Sequence, residues 1–208
     1  MRPILEAPLQ ADTGPQVEHS LGDNPMARQA LIVIDIQNDY FAGGKWPLEG
    51  VEAAADNAAR LIRAFRQKAA PVVHIRHEFA SADAPFFTPG SEGAQLHAKA
   101  RNQGDEPVVL KHHVNAFRET ELQTLLQQQG IEELVIVGNM SHMCVEGTAR
   151  AAADLGYTVQ VIDDACATLD LEFNGRQVPA AQVQSAVMAA LAFAYASVLS
   201  TDEFLASA

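Results

Sequence analysis

Cysteine is scarce in this 208-residue chain, which contains only Cys144 and Cys166, in no CxxC or Cys/His spacing. A disulfide framework and a structural zinc site are therefore both disfavoured as ways of stabilising the fold. Basic residues are also few, with 14 Lys and Arg against 26 Asp and Glu and a net charge of −12. Because nucleic-acid binding depends on clustered Lys and Arg, we expect no nucleic-acid partner.

Long apolar runs are absent as well. No stretch reaches the roughly 18 apolar residues of a membrane-spanning helix, so we expect no membrane partner. The opening "MRPILEAPLQADTGPQVEHS" lacks a charged segment followed by an apolar one, so it does not resemble a secretion signal. These absences, with the unpaired cysteines, predict a cytoplasmic protein.

Apolar residues are nevertheless abundant, at 48% of the chain, which is enough for one substantial core. Residues 1–29 contain several prolines and scattered charges without a sustained period, and we expect a flexible extension there. Residues 30–208 are predicted to form a single compact domain. No internal repeat and no second boundary interrupts this part of the chain.

Apolar runs of strand length alternate with helical patterns through this domain. "ALIVID" (30–35), "PVVHIRHE" (71–78), "PVVLK" (107–111), "ELVIVG" (133–138), "YTVQVID" (157–163) and a last strand beginning at Ala196 are the predicted strands. Helices are predicted over residues 51–70, 118–130, 143–155 and 179–195. This alternation predicts an α/β fold of three layers, with a six-stranded, mostly parallel sheet flanked by helices.

Three chemically complementary side chains follow predicted strands. Asp35 closes the first strand, Lys111 closes the third, and Cys144 follows the fourth after a short turn. Parallel sheets bind ligands beyond the carboxyl ends of their strands, so these residues are expected to meet at one edge. Taken singly, Cys144 could be a packed small residue, Asp35 a cap and Lys111 an exposed lysine; together they are the nucleophile, base and cation of an acyl-transfer site.

The motifs "ALIVIDIQNDYF", "VVLKHHVNAF" and "VIVGNMSHMCVEGTARAAADLGY", in this order, resemble the isochorismatase-like family of cysteine hydrolases, which includes nicotinamidases. The resemblance implies an Asp–Lys–Cys triad at Asp35, Lys111 and Cys144. In it, the thiol attacks a carbonyl and a thioester is hydrolysed. It also implies a cis peptide between Asn139 and Met140, and an oxyanion hole formed by the backbone N–H groups of Met140 and Cys144.

One departure bears on metal binding. Nicotinamidases typically carry an Asp-x-His pair after the second strand, whereas this chain has "HIRHEF", with Arg76 and His77 at that place. We therefore expect no metal and no other cofactor.

The substrate pocket is the least determined part of the site. Phe41 and Trp46 lie in the loop that leads from Asp35, and His113 follows Lys111 closely. Together with Asn139, which precedes the nucleophile turn, they are the predicted substrate-binding residues.

These observations predict a metal-independent cysteine hydrolase that cleaves a C–N bond of a small amide, ureide or lactam-like molecule. Two alternatives stay open: an isochorismatase-type hydrolase of a non-amide bond, and a non-catalytic relative that binds a small molecule or uses Cys144 as a redox thiol. A homo-oligomer, a dimer or a tetramer, is the expected assembly.

Overall fold

A six-stranded sheet forms the centre of the domain in the computed structural model, which describes residues 28–207. The predicted extension lies outside these residues except for Arg28 and Gln29. The strands are β1 (Gln29–Ile34), β2 (Val72–His77), β3 (Val108–Lys111), β4 (Glu133–Asn139), β5 (Thr158–Ala167) and β8 (Ser197–Leu199). Their order in the sheet is β3-β2-β1-β4-β5-β8, and every neighbouring pair is parallel. The predicted α/β fold is confirmed.

Helices cover both faces of this sheet. They are α1 (Val51–Gln67), α2 (Leu122–Gln128), α3 (Glu146–Asp154), α4 (Ala180–Ala194) and α5 (Thr201–Ser207). Strand β1 shows how the layers arise, because its side chains alternate between two cores. Leu31 and Val33 pack with the buried side of α1 and with α5, while Ile32 and Ile34 pack with residues of α2, α3 and α4. Buried on both faces, a strand of this kind must be apolar throughout.

The predicted helix over residues 118–130 is shorter in the structure and begins only at Leu122. Glu119 has a φ of 56°, which is incompatible with a continuous right-handed helix. The Thr120 hydroxyl donates to the carbonyl of Ala116, and the Asn115 side chain accepts from the N–H of Phe117. These local side-chain bonds replace the helical ones over the first residues of the segment.

A hairpin was missed in the sequence. Strands β6 (Leu171–Phe173) and β7 (Arg176–Val178) pair antiparallel outside the main sheet. Asn174 and Gly175 join them with φ values of 52° and 75°. Two positive φ values at Asn-Gly are the signature of a tight hairpin turn, so this signal was present in the sequence.

Two sequence-based expectations concern the exterior. No helix within residues 28–207 has both the length and the apolar character needed to cross a membrane. The cytoplasmic location and the homo-oligomer stay predictions. The exterior of helix α4 is uncharged: Phe193 is 91% exposed, and no Asp, Glu, Lys or Arg lies between Gln177 and Thr201.

Candidate active site

Four adjacent strands end at one place on the sheet edge. β3 ends at Lys111, β2 ends at His77, Asp35 follows β1, and the chain after β4 leads through a short turn to Cys144. His77 and Lys111 are register partners across β2 and β3, so their side chains are neighbours. Because the strands are parallel, their carboxyl ends coincide and bring these residues together.

The ammonium of Lys111 lies between the other three groups. Its Nζ is 2.8 Å from Asp35 Oδ2 and donates hydrogen bonds to Cys144 Sγ at 3.2 Å and to His77 Nδ1 at 2.7 Å. Asp35 and Lys111 are fully buried, and Cys144 is 5% exposed. Two opposite charges removed from water in this way each depend on the other.

The backbone around Asp35 is strained and held in place. Asp35 has a φ of 50°, a conformation that costs a non-glycine residue about 1–2 kcal/mol. The side-chain amide of Asn139 donates to the Asp35 carbonyl at 3.2 Å, which ties the end of β4 to this bend. Strain of this kind persists where the surrounding structure over-determines a functional position. Asn139 therefore shapes the turn that presents Asp35.

Gly138 permits the close approach of β4 to β1. A Cβ atom at this position would lie 2.0 Å from the carbonyl oxygen of Ile34, its register partner, and Gly138 has a φ of 132°. Only glycine fits both the conformation and the space. The contact brings the turn after β4 within reach of Asp35.

The turn that leads from β4 to Cys144 differs from its prediction. No cis peptide bond occurs within residues 28–207, so the predicted cis bond between Asn139 and Met140 is wrong. The chain instead reverses through Met140, whose φ of 53° and ψ of 72° are left-handed. A π-helical turn, Ser141–Val145, then continues into α3. A left-handed residue redirects the strand without a cis bond, and π turns often occur at functional sites.

Burial and charge set the resting protonation of the site. Burial raises the pKa of the Cys144 thiol far above its ordinary value; the Asp35 carboxylate raises it further, and the Lys111 ammonium only partly opposes them. Burial lowers the pKa of Lys111, but Asp35 and Cys144 more than compensate, so the net pKa is raised. At neutral pH the Cys144 thiol is therefore neutral and the Lys111 amine is charged.

Comparisons with known proteins identify the family of this chain. A family model described as an isochorismatase domain matches residues 29–203. The chain belongs to the isochorismatase family of hydrolases.

Relatives within the isochorismatase family cover nearly the whole domain. A crystal structure described as that of an isochorismatase hydrolase from Oleispira antarctica is 56% identical with a TM-score of 0.84, covering 86% of this chain and 97% of that one. The uncharacterized isochorismatase family protein YddQ of Bacillus subtilis is 48% identical over 176 residues, 85% of this chain and 98% of that protein. The nicotinamidase of Escherichia coli is 28% identical over 184 residues, 71% of this chain and 86% of that enzyme.

An aromatic cluster packs beside the triad of this family member. The rings of Trp46 and Phe86 stack with centroids 4.9 Å apart, and Phe86 in turn contacts Phe79 at 5.1 Å. The cluster consists of Tyr40, Trp46, Phe79, Phe86 and Phe87, and it meets the ring of His77 through Phe79 at 4.8 Å. Trp46 was predicted for the pocket; Tyr40 was not, although it lies in the quoted "IQNDYF". Burial raises the pKa of Tyr40, and the proximity of Cys144 and Asp35 raises it further.

Of the other predicted substrate-binding residues, Asn139 adjoins Asp35, whereas Phe41 and His113 make different contacts. Phe41 stacks on His97 at 3.6 Å, beside a cavity of about 540 Å³ that these two residues line with the loop 38–44. Asp35, Lys111 and Cys144 are not among the residues that line this cavity. His113 is partly exposed and contacts Glu119, with 3.0 Å between Nε2 and Oε2.

Asp39, the acid four residues after Asp35, organises loops. Its Oδ2 accepts from the N–H of Phe87 at 2.8 Å, and its Oδ1 accepts from the N–H of Lys45 at 3.2 Å. A Cβ atom on Gly93 would lie 2.1 Å from Asp39 Oδ1, so the loop around residue 93 must pass very close to this carboxylate. These contacts hold the loops that carry the aromatic cluster.

A resident metal ion does not fit this site. Within residues 28–207, only Asp35, His77 and Cys144 form a group with metal-ligand atoms close enough together, all within 4.8 Å. The Lys111 ammonium contacts one atom of each of them and so already supplies a cation between the three. The Arg76 and Glu78 side chains next to His77 pair with each other at 2.7 Å.

Proposed function

We propose that this chain is a metal-independent cysteine hydrolase that cleaves a C–N bond, in a small amide, ureide or lactam-like compound, through a thioester on Cys144. The observation that carries the proposal is the single ammonium of Lys111, which contacts both Asp35 Oδ2 and Cys144 Sγ in a buried site. A nucleophile, a proton acceptor and a fixed cation within hydrogen-bond distance are the components of nucleophilic acyl transfer.

In the acylation step, Cys144 Sγ forms a bond to the carbonyl carbon while its proton passes to Asp35. Neither carboxylate oxygen of Asp35 accepts a well-aligned hydrogen bond within residues 28–207, so an oxygen remains for this proton. The raised pKa of the thiol favours proton transfer during attack over a pre-formed thiolate. The predicted backbone N–H groups of Met140 and Cys144 would stabilise the oxyanion of the tetrahedral intermediate.

Collapse of the tetrahedral intermediate breaks the C–N bond. Protonated Asp35 returns its proton to the departing nitrogen, which leaves as ammonia or an amine. Asp35 then accepts a proton from water as the water oxygen attacks the thioester carbon. The C–S bond breaks, a carboxylic acid is released and Cys144 regains its proton, so Asp35 acts as base, then acid, twice per turnover.

The aromatic cluster supports a small, flat substrate. Rings of Trp46, Phe79 and Phe86 next to a buried charged site provide apolar area for a planar group while the polar atoms serve the reacting bond. The name of the related nicotinamidase refers to the amide of an aromatic ring, which agrees with a carboxamide on a flat scaffold.

A redox thiol is less well supported than a hydrolase. Both cysteines are free and buried, and burial raises the pKa of Cys166 to about 12. Redox-active cysteines have low pKa values and are accessible, which is the opposite of both residues here.

The test is a hydrolysis assay on a panel of small carboxamides, ureides and lactams, with released ammonia or amine measured for the first two classes, the ring-opened product measured for the lactams, and mass spectrometry of quenched enzyme. Wild type should release ammonia or amine and show an acyl adduct on the peptide containing Cys144. Cys144→Ala and Cys144→Ser should lose at least about 1,000-fold of kcat/KM, because the nucleophile acts in both half-reactions. Cys166→Ala serves as the matched control and should keep its activity. Full activity in Cys144→Ala would exclude the mechanism.

A further inference from the structure

His77 is a fourth residue of the site, and it is not a member of the Asp–Lys–Cys triad. It ends β2 directly beside Lys111 at the end of β3, and its ring is 6% exposed. Its Nδ1 lies 2.7 Å from Lys111 Nζ, which is shorter than the contact from Nζ to Cys144 Sγ. The ring is thus as close to the ammonium as the triad members are.

We propose that His77 is a positioning residue for the reaction: its neutral imidazole accepts a hydrogen bond from the Lys111 ammonium and aims that ammonium at Asp35 and Cys144. This inference rests on the proposed function, because it assigns His77 a part in the same site.

The chemistry of the pair determines the state of the ring. An ammonium can only donate, so Nδ1 must be unprotonated and the proton must be on Nε2. Burial and, to a lesser extent, the charge of Lys111 lower the pKa of His77, Asp35 opposes them, and the net pKa is about 4. The other titratable groups facing the ring, His112 and His113, also lower the pKa. The imidazole is therefore neutral at pH 7 and can accept.

The position of His77 is held independently of its ring. Gln37 is fully buried, and its Oε1 accepts from the N–H of His77 at 2.8 Å while its Nε2 donates to the His77 carbonyl at 2.8 Å. The same Nε2 donates to the carbonyl of Ala94 at 2.7 Å. A side-chain amide that bonds both backbone groups of one residue fixes where its Cβ points, so substitutions at 77 change the ring and not the strand end.

Packing alone does not account for a histidine here. Phe79 and Phe87 surround the ring, with centroids 4.8 and 6.1 Å away, and an apolar side chain would fill this space. Nε2 is buried without a hydrogen-bond partner within residues 28–207. An unpaired buried donor is unfavourable, so the contact at Nδ1 is the feature that distinguishes histidine from a hydrocarbon at this site.

The experiment uses variants that separate the acceptor from the ring. In His77→Asn the amide oxygen takes the place of Nδ1, whereas His77→Leu has the same branching without an acceptor. His77→Phe keeps a ring without an acceptor, and it replaces His77→Leu if that variant does not fold. Each variant is compared with wild type by thermal unfolding, by kcat and KM on the best amide of the panel, and by the rate at which iodoacetamide alkylates Cys144 at pH 7.5.

We expect His77→Leu and His77→Phe to lower kcat roughly 10- to 100-fold with KM changed less than about threefold, because one hydrogen bond to a charged group is lost. Alkylation of Cys144 should slow in parallel, since the ammonium no longer supports the thiolate, while alkylation of Cys166 should not change. His77→Asn should recover both rates to within about fivefold of wild type.

Two outcomes would overturn the proposal. If His77→Leu matched wild type in kcat and alkylation, the contact would have no part in the reaction. If His77→Asn were as slow as His77→Leu, the ring and not the acceptor would matter. The alkylation rate needs no substrate, so it judges this inference even if the panel shows that the chain does not hydrolyse amides.

Discussion

Replacing Lys111 by methionine removes the ammonium and keeps an unbranched side chain of the length of the lysine stem, so it tests the charge at the centre of the site. Lys111 and Asp35 are both fully buried with 2.8 Å between Nζ and Oδ2. Removing one partner of a buried ion pair typically costs about 3–5 kcal/mol, because the remaining charge is left in the interior without compensation. We expect Lys111→Met to lower the free energy of unfolding by that amount and to abolish turnover.

The double variant Asp35→Asn with Lys111→Met provides the decisive comparison. It removes both charges, and neutral replacement of a buried pair is often close to neutral in stability. We therefore expect the free energy of unfolding of the double variant to lie within about 2 kcal/mol of that of wild type, and so above that of Lys111→Met alone. The double variant should remain inactive. Lys45→Met is the matched control, since Lys45 is exposed and its ammonium bonds only to Thr88 among residues 28–207, and it should change stability by less than about 0.5 kcal/mol.

The measurement is urea unfolding followed by circular dichroism at pH 7, at one protein concentration and with the slope of each transition compared. The reasoning would be refuted in two ways. The free energy of unfolding of Lys111→Met could fall by less than about 1 kcal/mol, or that of the double variant could fall by the sum of the losses in Lys111→Met and Asp35→Asn. Either result would mean that the pair is not the tightly coupled buried unit that its geometry indicates.

Two further predictions concern stability away from the catalytic atoms. Burial raises the pKa of Glu106, but hydrogen bonds from Arg66, from the N–H of Gln103 and from His74 lower it to about 2, below its ordinary 4.5. The folded pKa is thus below the unfolded one, so Glu106 stabilises the fold above pH 4.5 and loses this contribution as the pH falls toward 2. Glu106→Gln should therefore lower the free energy of unfolding by about 3 kcal/mol at pH 7 and by progressively less in acid, as measured by urea unfolding at each pH. Gly138→Ala should cost about 3 kcal/mol or more, because its Cβ would overlap the Ile34 carbonyl oxygen at 2.0 Å in addition to the backbone strain. Gly130→Ala, which has positive φ but open space around it, should cost only about 1 kcal/mol, and equal losses at the two glycines would contradict the role of close approach.

Much of the fold could be predicted because its signals are local. Strand β1 is apolar at each position that faces either core, as a strand covered on both sides must be, and helix α1 buries one apolar side. The boundaries of α2 were missed because they depend on Glu119 adopting a left-handed conformation, which no periodic pattern reveals. The β6–β7 hairpin was missed although Asn174-Gly175 signals such a turn.

Part of the candidate site, too, could be predicted from the sequence, and part could not. The topological rule for parallel sheets predicted that Asp35, Lys111 and Cys144 would meet, and the structure brings them together. The sequence distinguishes His77 only as a departure from the nicotinamidase pattern, and no spacing in the sequence places its Nδ1 beside Lys111. Phe41 was chosen because its loop leads from Asp35; its ring stacks on His97, and its part in substrate binding stays a prediction.

The sequence by itself determined the class of the fold, the order of its strands and helices, and which residues of opposite chemistry follow the strands. These features depend on hydrophobic periodicity and on what each residue type can do, and both are written along the chain. Only the tertiary structure decided that the Lys111 ammonium contacts three groups at once, and that Met140 turns the chain toward Cys144 without a cis bond. Such contacts depend on side-chain directions and on approaches between strands, as at Gly138, where a Cβ atom would lie 2.0 Å from the carbonyl oxygen of Ile34.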